Sequence, residues 1–472
     1  MVGSRYTAGM TATERVLTRK TVVGYAIGSL GTGGFATLPG LVLVFYLTDT
    51  LGVGALLAGL LVTVAKIWDV IIDPVIGASS DRALLRHGSR RGFMQWGALL
   101  LPVFFVLTFA VPGGLAPAAS GIWVLIAFMF TATAFSLFQV PYIALPAEIA
   151  SGYDQRTRLL TWRVVVLTLA ILLFGAGGPM LRKLGGENEN LGYLLMAVVA
   201  GVVIGLGMFV ASRVAPRGVT VTPPAASSGG IRAHYAAGVL VLRRSQPFRA
   251  LLGTFMLQGL ATGVMLAGAN YVAVWVLHSD DALTLIFVAL IAPALFCAPL
   301  WGVLARRIGK ERGFVLASVL FGIAALALTV MLWAPGAWVY VPIALAGAGY
   351  AGMQSLPMAM LPDVISHDAA QHGDGQAGTF SGVWTAGETT GMALGATVLT
   401  VTLALTGYVE SVGSESVVQA SAAVAGIVLS FSVLPAALIA LSLLTMRRYS
   451  LRRRDIDTRT TDPTQLATEA AS

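Results

Sequence analysis

The chain has 472 residues, of which 56% are apolar and only 11% charged, with a formal net charge of +8. A soluble domain carries roughly a quarter charged residues, so this composition and a mean hydropathy of +0.81 exclude a soluble globule and make lipid the solvent for most of the surface. The basic balance points either to nucleic acid or to a membrane face, and the placement of the charges decides between them.

Met1 to Lys20 is polar and lacks the apolar core of a signal peptide, so residues 1–20 read as a cytoplasmic N-terminal segment. A bilayer-spanning helix needs about 20 mostly apolar residues. Such runs are predicted at Thr21–Leu47, Val53–Ser79, Gly92–Val111, Gly121–Ile149, Arg163–Leu184 and Leu191–Val214. After a gap they resume at Ala250–Leu277, Ala282–Leu304, Gly313–Leu332, Ala337–Met360, Gly378–Leu405 and Val417–Met446. Residues 21–214 and 250–446 are thus expected to form two six-helix bundles. Between them, 215–249 is rich in proline, serine, glycine and arginine and reads as a cytoplasmic linker. The polar tail 447–472 is expected to be disordered.

The basic residues cluster at one end of this pattern. Arg82, Arg86, Arg90 and Arg91, then Arg156 and Arg158, then Arg306, Arg307, Lys310 and Arg312 fall in alternate turns, with further arginines in the linker and tail. The positive-inside rule places those turns, the linker and both termini in the cytoplasm. A basic collar facing the lipid headgroups explains the net charge without nucleic acid. The lone cysteine, Cys297, lies in an apolar segment and reads as a small packing residue.

The halves echo one another. Gly77-Ala-Ser-Ser-Asp81-Arg82 with Arg90-Arg91 joins the second and third helices, and Arg306-Arg307 with Lys310-Glu311-Arg312 joins the eighth and ninth. Leu145-Pro146-Ala147-Glu148 closes the fourth helix, and Leu361-Pro362-Asp363 closes the tenth. Matched motifs imply a duplicated unit, and transporters built this way bind their solute near the midplane at the repeat interface. Glu148 and Asp363 are expected to pair with Arg82, Arg156 or Arg312 in closing an inward gate.

The second helix holds the sharpest chemistry, Lys66-Ile-Trp68-Asp69-Val-Ile-Ile-Asp73-Pro74. Asp69 and Asp73 are four residues apart and share a face with Lys66. Each charge at a helix centre costs roughly 2.5–3.5 kcal/mol on insertion scales, so the three face the protein interior. One lysine neutralises one carboxylate, and the second requires a cation or a proton. Pro74 removes a backbone donor beside them.

The ordered motifs resemble the glycoside–pentoside–hexuronide:cation symporters, the melibiose-permease-like branch of the major facilitator superfamily. They are Gly24-Tyr25-Ala-Ile-Gly28, Phe45-Tyr46-Leu-Thr48-Asp49, Ile67-Trp68-Asp69 with Asp73-Pro74, Pro141-Tyr142, Tyr153-Asp154-Gln155-Arg156-Thr157-Arg158, and Trp384-Thr385 with Gly391. The resemblance implies an all-α major facilitator fold, cation binding by Asp69 and Asp73 beside Lys66, and Ser136 as a contributing hydroxyl. It puts Tyr25, Gln139 and Tyr142 near a sugar site, with Asp81, Arg82, Arg91, Glu148, Arg156, Arg163 and Asp363 as gating residues. The family's galactoside binders carry acidic residues near Gly33 and at Gln139, and its Na⁺ users often carry an amide at Ile72. These departures speak against α-galactosides and leave H⁺ open beside Na⁺.

Two further residues bear on the solute. Trp384 offers a stacking face or core packing. Glu388 is either a substrate or proton-relay carboxylate or an internal partner for an arginine such as Arg163. His367, Asp368, His372 and Asp374 lack regular ligand spacing, so no metal is expected beyond a coupling Na⁺. No phosphate-cradling Gly-x-x-x-x-Gly-Lys-Ser/Thr loop occurs. The sequence thus reads as a cell-membrane secondary symporter of a glycoside-like solute driven by H⁺ or Na⁺, with no cofactor, no enzymatic activity and a monomeric state. The alternative is a carrier of a lysolipid or other amphiphile, or a drug exporter, on the same scaffold.

Overall fold

The computed structural model describes residues 17–150, 153–218, 231–279, 281–372, 377–411 and 417–451, and no strand occurs among them. The helices in chain order are α1 (Arg19–Ile27), α2 (Ser29–Phe45), α3 (Ala55–His87), α4 (Arg91–Phe109), α5 (Pro117–Ile149), α6 (Tyr153–Arg182), α7 (Glu189–Ser212) and α8 (Ile231–Arg244). They continue with α9 (Gln246–Tyr271), α10 (Ala282–Ile308), α11 (Lys310–Ala327), α12 (Tyr340–His372), α13 (Ala377–Leu405), α14 (Ser421–Phe431) and α15 (Val433–Met446).

Eleven spans among the described residues are long and apolar enough to cross a bilayer. The remaining long helix, α12, has 33 residues but carries Gln354, Ser355, Pro357 and Pro362, which lower its hydropathy. The chain is a multi-pass membrane protein.

Several helix ends differ from the sequence reading for local reasons. The first span breaks after Ile27, where the Gly28 amide turns back to the Tyr25 carbonyl at 3.0 Å. The last span breaks at Ser432, because Pro435 has no amide to offer the Phe431 carbonyl four residues back. The second predicted helix runs eight residues further, to His87, where Gly88 takes up a left-handed φ of 64° and caps it. The fifth begins earlier, at Tyr153. The tenth runs to His372. The segment read as an irregular linker contains α8, whose mixed basic and apolar composition hid it among prolines and glycines.

The duplication is visible in the packing. In the first half α2 meets α6 and α7, α3 meets α5, and α4 meets α5 and α7. In the second half α9 meets α13 and α15, α10 meets α12, and α11 meets α12 and α15. Each half's first span also ends in a single π-helical stretch, Tyr46–Thr50 after α2 and Val272–Val276 after α9.

The halves meet where α2 packs on α9, α3 on α13 and α6 on α10. These crossings lie toward the end opposite the arginine-rich turns, here the far end. Thr63 hydrogen-bonds Thr397 there. Phe45 packs on Tyr271 with ring centroids 5.1 Å apart. Lys183 of the first half pairs with Asp281 of the second.

A side chain on Gly59 would overlap buried Thr400 across the α3–α13 crossing. Gly59→Val is therefore expected to wedge the far end apart. With Cys297 replaced by serine, a Thr400→Cys thiol should label with maleimide at least about tenfold faster in the Gly59→Val background, a shift of about 1.4 kcal/mol. An unchanged labelling rate would mean that this crossing does not hold the end shut.

Candidate functional site

The charged cluster of α3 forms as its spacing requires. Lys66 Nζ lies 3.2 Å from Asp69 Oδ2. The other carboxylate oxygen of Asp69 is buried with no hydrogen-bond partner. One turn on, Asp73 is accessible, feels the charges of both Asp69 and Lys66, and has the buried Ser136 hydroxyl of α5 against its carboxylate. Because charges of this kind are not exposed to hydrocarbon, the side of α3 that carries Lys66, Asp69 and Asp73 is turned away from lipid, while Val64, Ile67 and Ile71 are exposed on the same helix. The Trp68 indole donates to Thr133 Oγ1 at 2.9 Å, which ties α3 to α5 and fixes the rotation of the cluster. The set thus presents an orphaned carboxylate oxygen, a second carboxylate and a hydroxyl, all hard oxygen ligands suited to Na⁺ or to a proton.

Gln139 is half-buried on α5, and its carbonyl accepts from Thr32 at 2.7 Å. Its amide nitrogen has no partner among the described residues. Tyr25 and Tyr142 are fully buried and stacked, with centroids 4.6 Å apart. The Tyr142 hydroxyl donates to the Tyr25 carbonyl at 2.8 Å and lies 3.1 Å from Ser29 Oγ. The break after α1 makes this possible by turning that carbonyl out of the regular helical ladder. Trp384 is likewise buried, stacked on Phe255 at 4.5 Å. In this conformation none of the three aromatics offers a face to a solute; they pack helix crossings. Arg163 lies over the Tyr142 ring, 5.4 Å from its centroid, and is not brought to Glu388. Glu388 is half-buried on α13 with no ion pair among the described residues.

Two ion pairs join carboxylates near the ends of α5 and α12 to neighbouring loops. Glu148 pairs with Arg90 at 2.7 Å, and the same guanidinium donates to Ser80 at 3.2 Å. Asp363 pairs with Lys310 at 2.5 Å. Arg82 instead folds back onto its own helix, donating to the Ala78 carbonyl at 3.2 Å. Each of these pairs pins a loop within its own half. The reason is reach: the loops joining α3 to α4 and α10 to α11 pass directly over the ends of α5 and α12. Arg91 is half-buried near Arg213 and Arg217. The side chains of Asp81 and Arg156 lie outside the described residues, as does Asp374. Asp368 is paired with Arg244 of α8, and no cluster among the described residues is arranged to hold a metal.

The largest polar feature missed from sequence is at the far end. Asp49 is 4% exposed. It accepts from Thr48 Oγ1 at 2.5 Å, from Trp275 Nε1 at 3.2 Å and from the Tyr408 hydroxyl. Ser411 donates to its carbonyl at 2.9 Å, and Thr48 Oγ1 lies 2.7 Å from the Tyr271 hydroxyl. The first half thus inserts Thr48-Asp49 into a socket made by four second-half residues. The available signal was an acid ending an apolar run, but its partners are more than 200 residues away in sequence.

Known proteins share this architecture. The crystal structure of a D-xylose–proton symporter superposes with a TM-score of 0.65 over 92% of this chain and 98% of that one, at 13% identity, which shows a common fold. The putative glycoside/cation symporter YagG of Escherichia coli (strain K12) is 30% identical over 186 residues, 39% of this chain and 40% of that protein. The glucuronide carrier protein homolog of the same organism is 24% identical over 406 residues, 83% of this chain and 85% of that protein. The duplicated bundles, the charged α3 and the match of residues 24–453 to the family described as MFS/sugar transport protein agree, and the chain belongs to that family of transporters.

Proposed function

We propose that the protein is a secondary symporter that couples a cation, H⁺ or Na⁺, to a sugar-like solute by alternating access. The observation that carries the reading is the orphaned Asp69 oxygen beside the accessible Asp73 carboxylate and the Ser136 hydroxyl. A buried carboxylate oxygen without a partner is costly unless an ion or proton visits it. Lys66 balances only one of the two acids. Names of relatives support the solute class: a glycoside/cation symporter, an isoprimeverose transporter and a putative sulfoquinovose importer. Gln139 and Glu388 offer polar atoms to the solute, and Arg163 a cation. Glu148–Arg90 and Asp363–Lys310 stiffen the arginine-rich ends of the halves, which rock about the central solute site so that the far-end contacts part when the other end closes. The arginine distribution supports a cell-membrane location with that end in the cytoplasm.

A thermal-shift screen of the purified protein tests this. A ligand that binds only the folded state raises Tm by mass action, by the equivalent of about 2.7 kcal/mol at 100 times Kd. Sugars or glycosides are expected to raise Tm, more so with Na⁺ or at low pH. Stabilisation by lysolipids with sugars silent would instead identify an amphiphile carrier.

A further inference from the structure

We propose that α8 is a membrane-surface helix whose outward face sits on anionic phospholipid headgroups and moors the second half to the leaflet at the arginine-rich end.

The helix has 14 residues. At about 1.5 Å per residue it is too short to cross a hydrocarbon core of about 30 Å. Three contacts hold it against the second half. Gly238 packs on α13 so closely that an added Cβ would lie 3.0 Å from Val383 Cγ2. Arg244 makes a two-pronged ion pair with Asp368 of α12, 3.1 Å from Nε to Oδ1, and Asp368 is buried. Arg249 of α9 donates to the Leu242 carbonyl at 2.7 Å and to the Arg243 carbonyl, which closes the last turn of α8. Val383 lies within the first two turns of α13, and Asp368 within the last two turns of α12. The helix therefore runs beside the ends of the spans, at the level where headgroups begin.

Its two faces differ. Gly238, Val241 and Ser245 are buried against the protein, whereas Val239, Leu240 and Arg243 share the opposite sector of the helix and are exposed. Val239 is 50% exposed and Leu240 52%. Two aliphatic side chains flanking an arginine suit neither open water nor hydrocarbon. The lipid interface takes both: the aliphatics enter the acyl boundary, and the guanidinium stays among the phosphates.

Charge selects the headgroup. Gln246 donates to the Arg448 carbonyl and accepts from the Ser450 hydroxyl at 3.1 Å. These bonds bring the end of the last span beside the junction of α8 and α9. Arg243, Arg244, Arg249, Arg447 and Arg448 thus gather in one patch. Arg244 is neutralised by Asp368. The other four are exposed, with no ion pair among the described residues. The guanidinium fork matches phosphate, and each basic residue near an anionic leaflet strengthens the attraction roughly fivefold. A zwitterionic headgroup brings its own ammonium and offers no net charge to the patch.

The test attaches an environment-sensitive fluorophore to Leu240→Cys in the Cys297→Ser protein. The full-length protein is compared in nanodiscs of phosphatidylcholine alone and of phosphatidylcholine mixed with phosphatidylglycerol. In the anionic discs the emission should shift to the blue, and quenching by neutral aqueous acrylamide should fall at least about threefold. Lipids spin-labelled near the headgroup should quench the probe there. Replacing Arg243, Arg447 and Arg448 together by glutamine should abolish the difference between the two discs while Tm holds, because all three side chains are exposed. Equal acrylamide quenching in both discs, with no quenching by the spin-labelled lipids, puts this face in water, as a surface for a soluble protein would be, and overturns the inference. A blue shift produced by inorganic phosphate in the phosphatidylcholine discs would identify a site for free phosphate and overturn the leaflet assignment. None of these readouts depends on solute transport, so they are decided separately from symport.

Discussion

Replacing Asp73 by asparagine is expected to abolish cation-driven accumulation of the solute while leaving the protein folded and able to bind it. The amide cannot carry the charge that holds Na⁺, nor take up and release a proton near neutral pH. The fold does not depend on it, because Asp73 is accessible and no ion pair to it is found among the described residues. Removing a membrane-embedded charge spares roughly 2.5–3.5 kcal/mol of insertion free energy, so Tm should hold or rise. Asp69→Asn should fail for a second reason: it frees Lys66 to neutralise Asp73 itself. The check is uptake by proteoliposomes with and without an imposed Na⁺ or H⁺ gradient, beside exchange of labelled for unlabelled solute. Accumulation is expected to vanish and exchange to survive. Full accumulation by Asp73→Asn would remove this residue from the coupling site.

Asp49→Asn is expected to release the far end. In the closed state the Asp49 carboxylate accepts three hydrogen bonds, two of them from Trp275 and Tyr408 across the halves. Each such bond to a charged group contributes roughly 1.5–3 kcal/mol. An amide keeps the shape, but one terminal atom becomes a donor and the charge is gone. Loss of about 1.5–3 kcal/mol from the closed state moves the closed-to-open ratio by roughly 10- to 150-fold. In the Cys297→Ser background, maleimide labelling of Thr400→Cys should rise by that order, and Trp275→Phe should give a smaller rise in the same direction. Protection equal to wild type in Asp49→Asn would show that apolar contacts such as Phe45 on Tyr271 hold the end without the buried acid.

The residues that were legible are those whose physics is local. Apolar runs long enough to span lipid identify helices from composition alone; what changed is some of their ends, at Gly88 and Tyr153, and the interior breaks after Ile27 and at Ser432. Lys66, Asp69 and Asp73 stand out because each charge in a span is costly and their spacing puts them on one face. The Glu148 and Asp363 motifs stood out by their place at helix ends, whereas the pairing of Glu148 with Arg90 and of Asp363 with Lys310 did not. Whether Arg82 or Arg90 meets Glu148 depends on how a loop crosses a helix end, which periodicity does not encode. The aromatics were the hardest to read. Tyr25, Tyr142 and Trp384 are as suited to stacking on a sugar as to packing a crossing, and here they pack. Asp49 was hidden for another reason: its worth depends on Trp275, Tyr408 and Ser411, which only the assembled halves bring to it. Helix α8 was hidden by composition, since a short basic helix at a membrane face resembles the linker it interrupts.

The most direct measurement of the coupling assignment is uptake of a labelled neutral glycoside into liposomes containing only the purified protein. It should be made with an inward Na⁺ gradient, with an inward proton gradient and with neither. Accumulation above equilibrium under one of the two gradients, lost when that gradient is collapsed, is the expected result. Glycoside that merely equilibrates at the same rate under all three conditions would contradict cation coupling at Asp69 and Asp73.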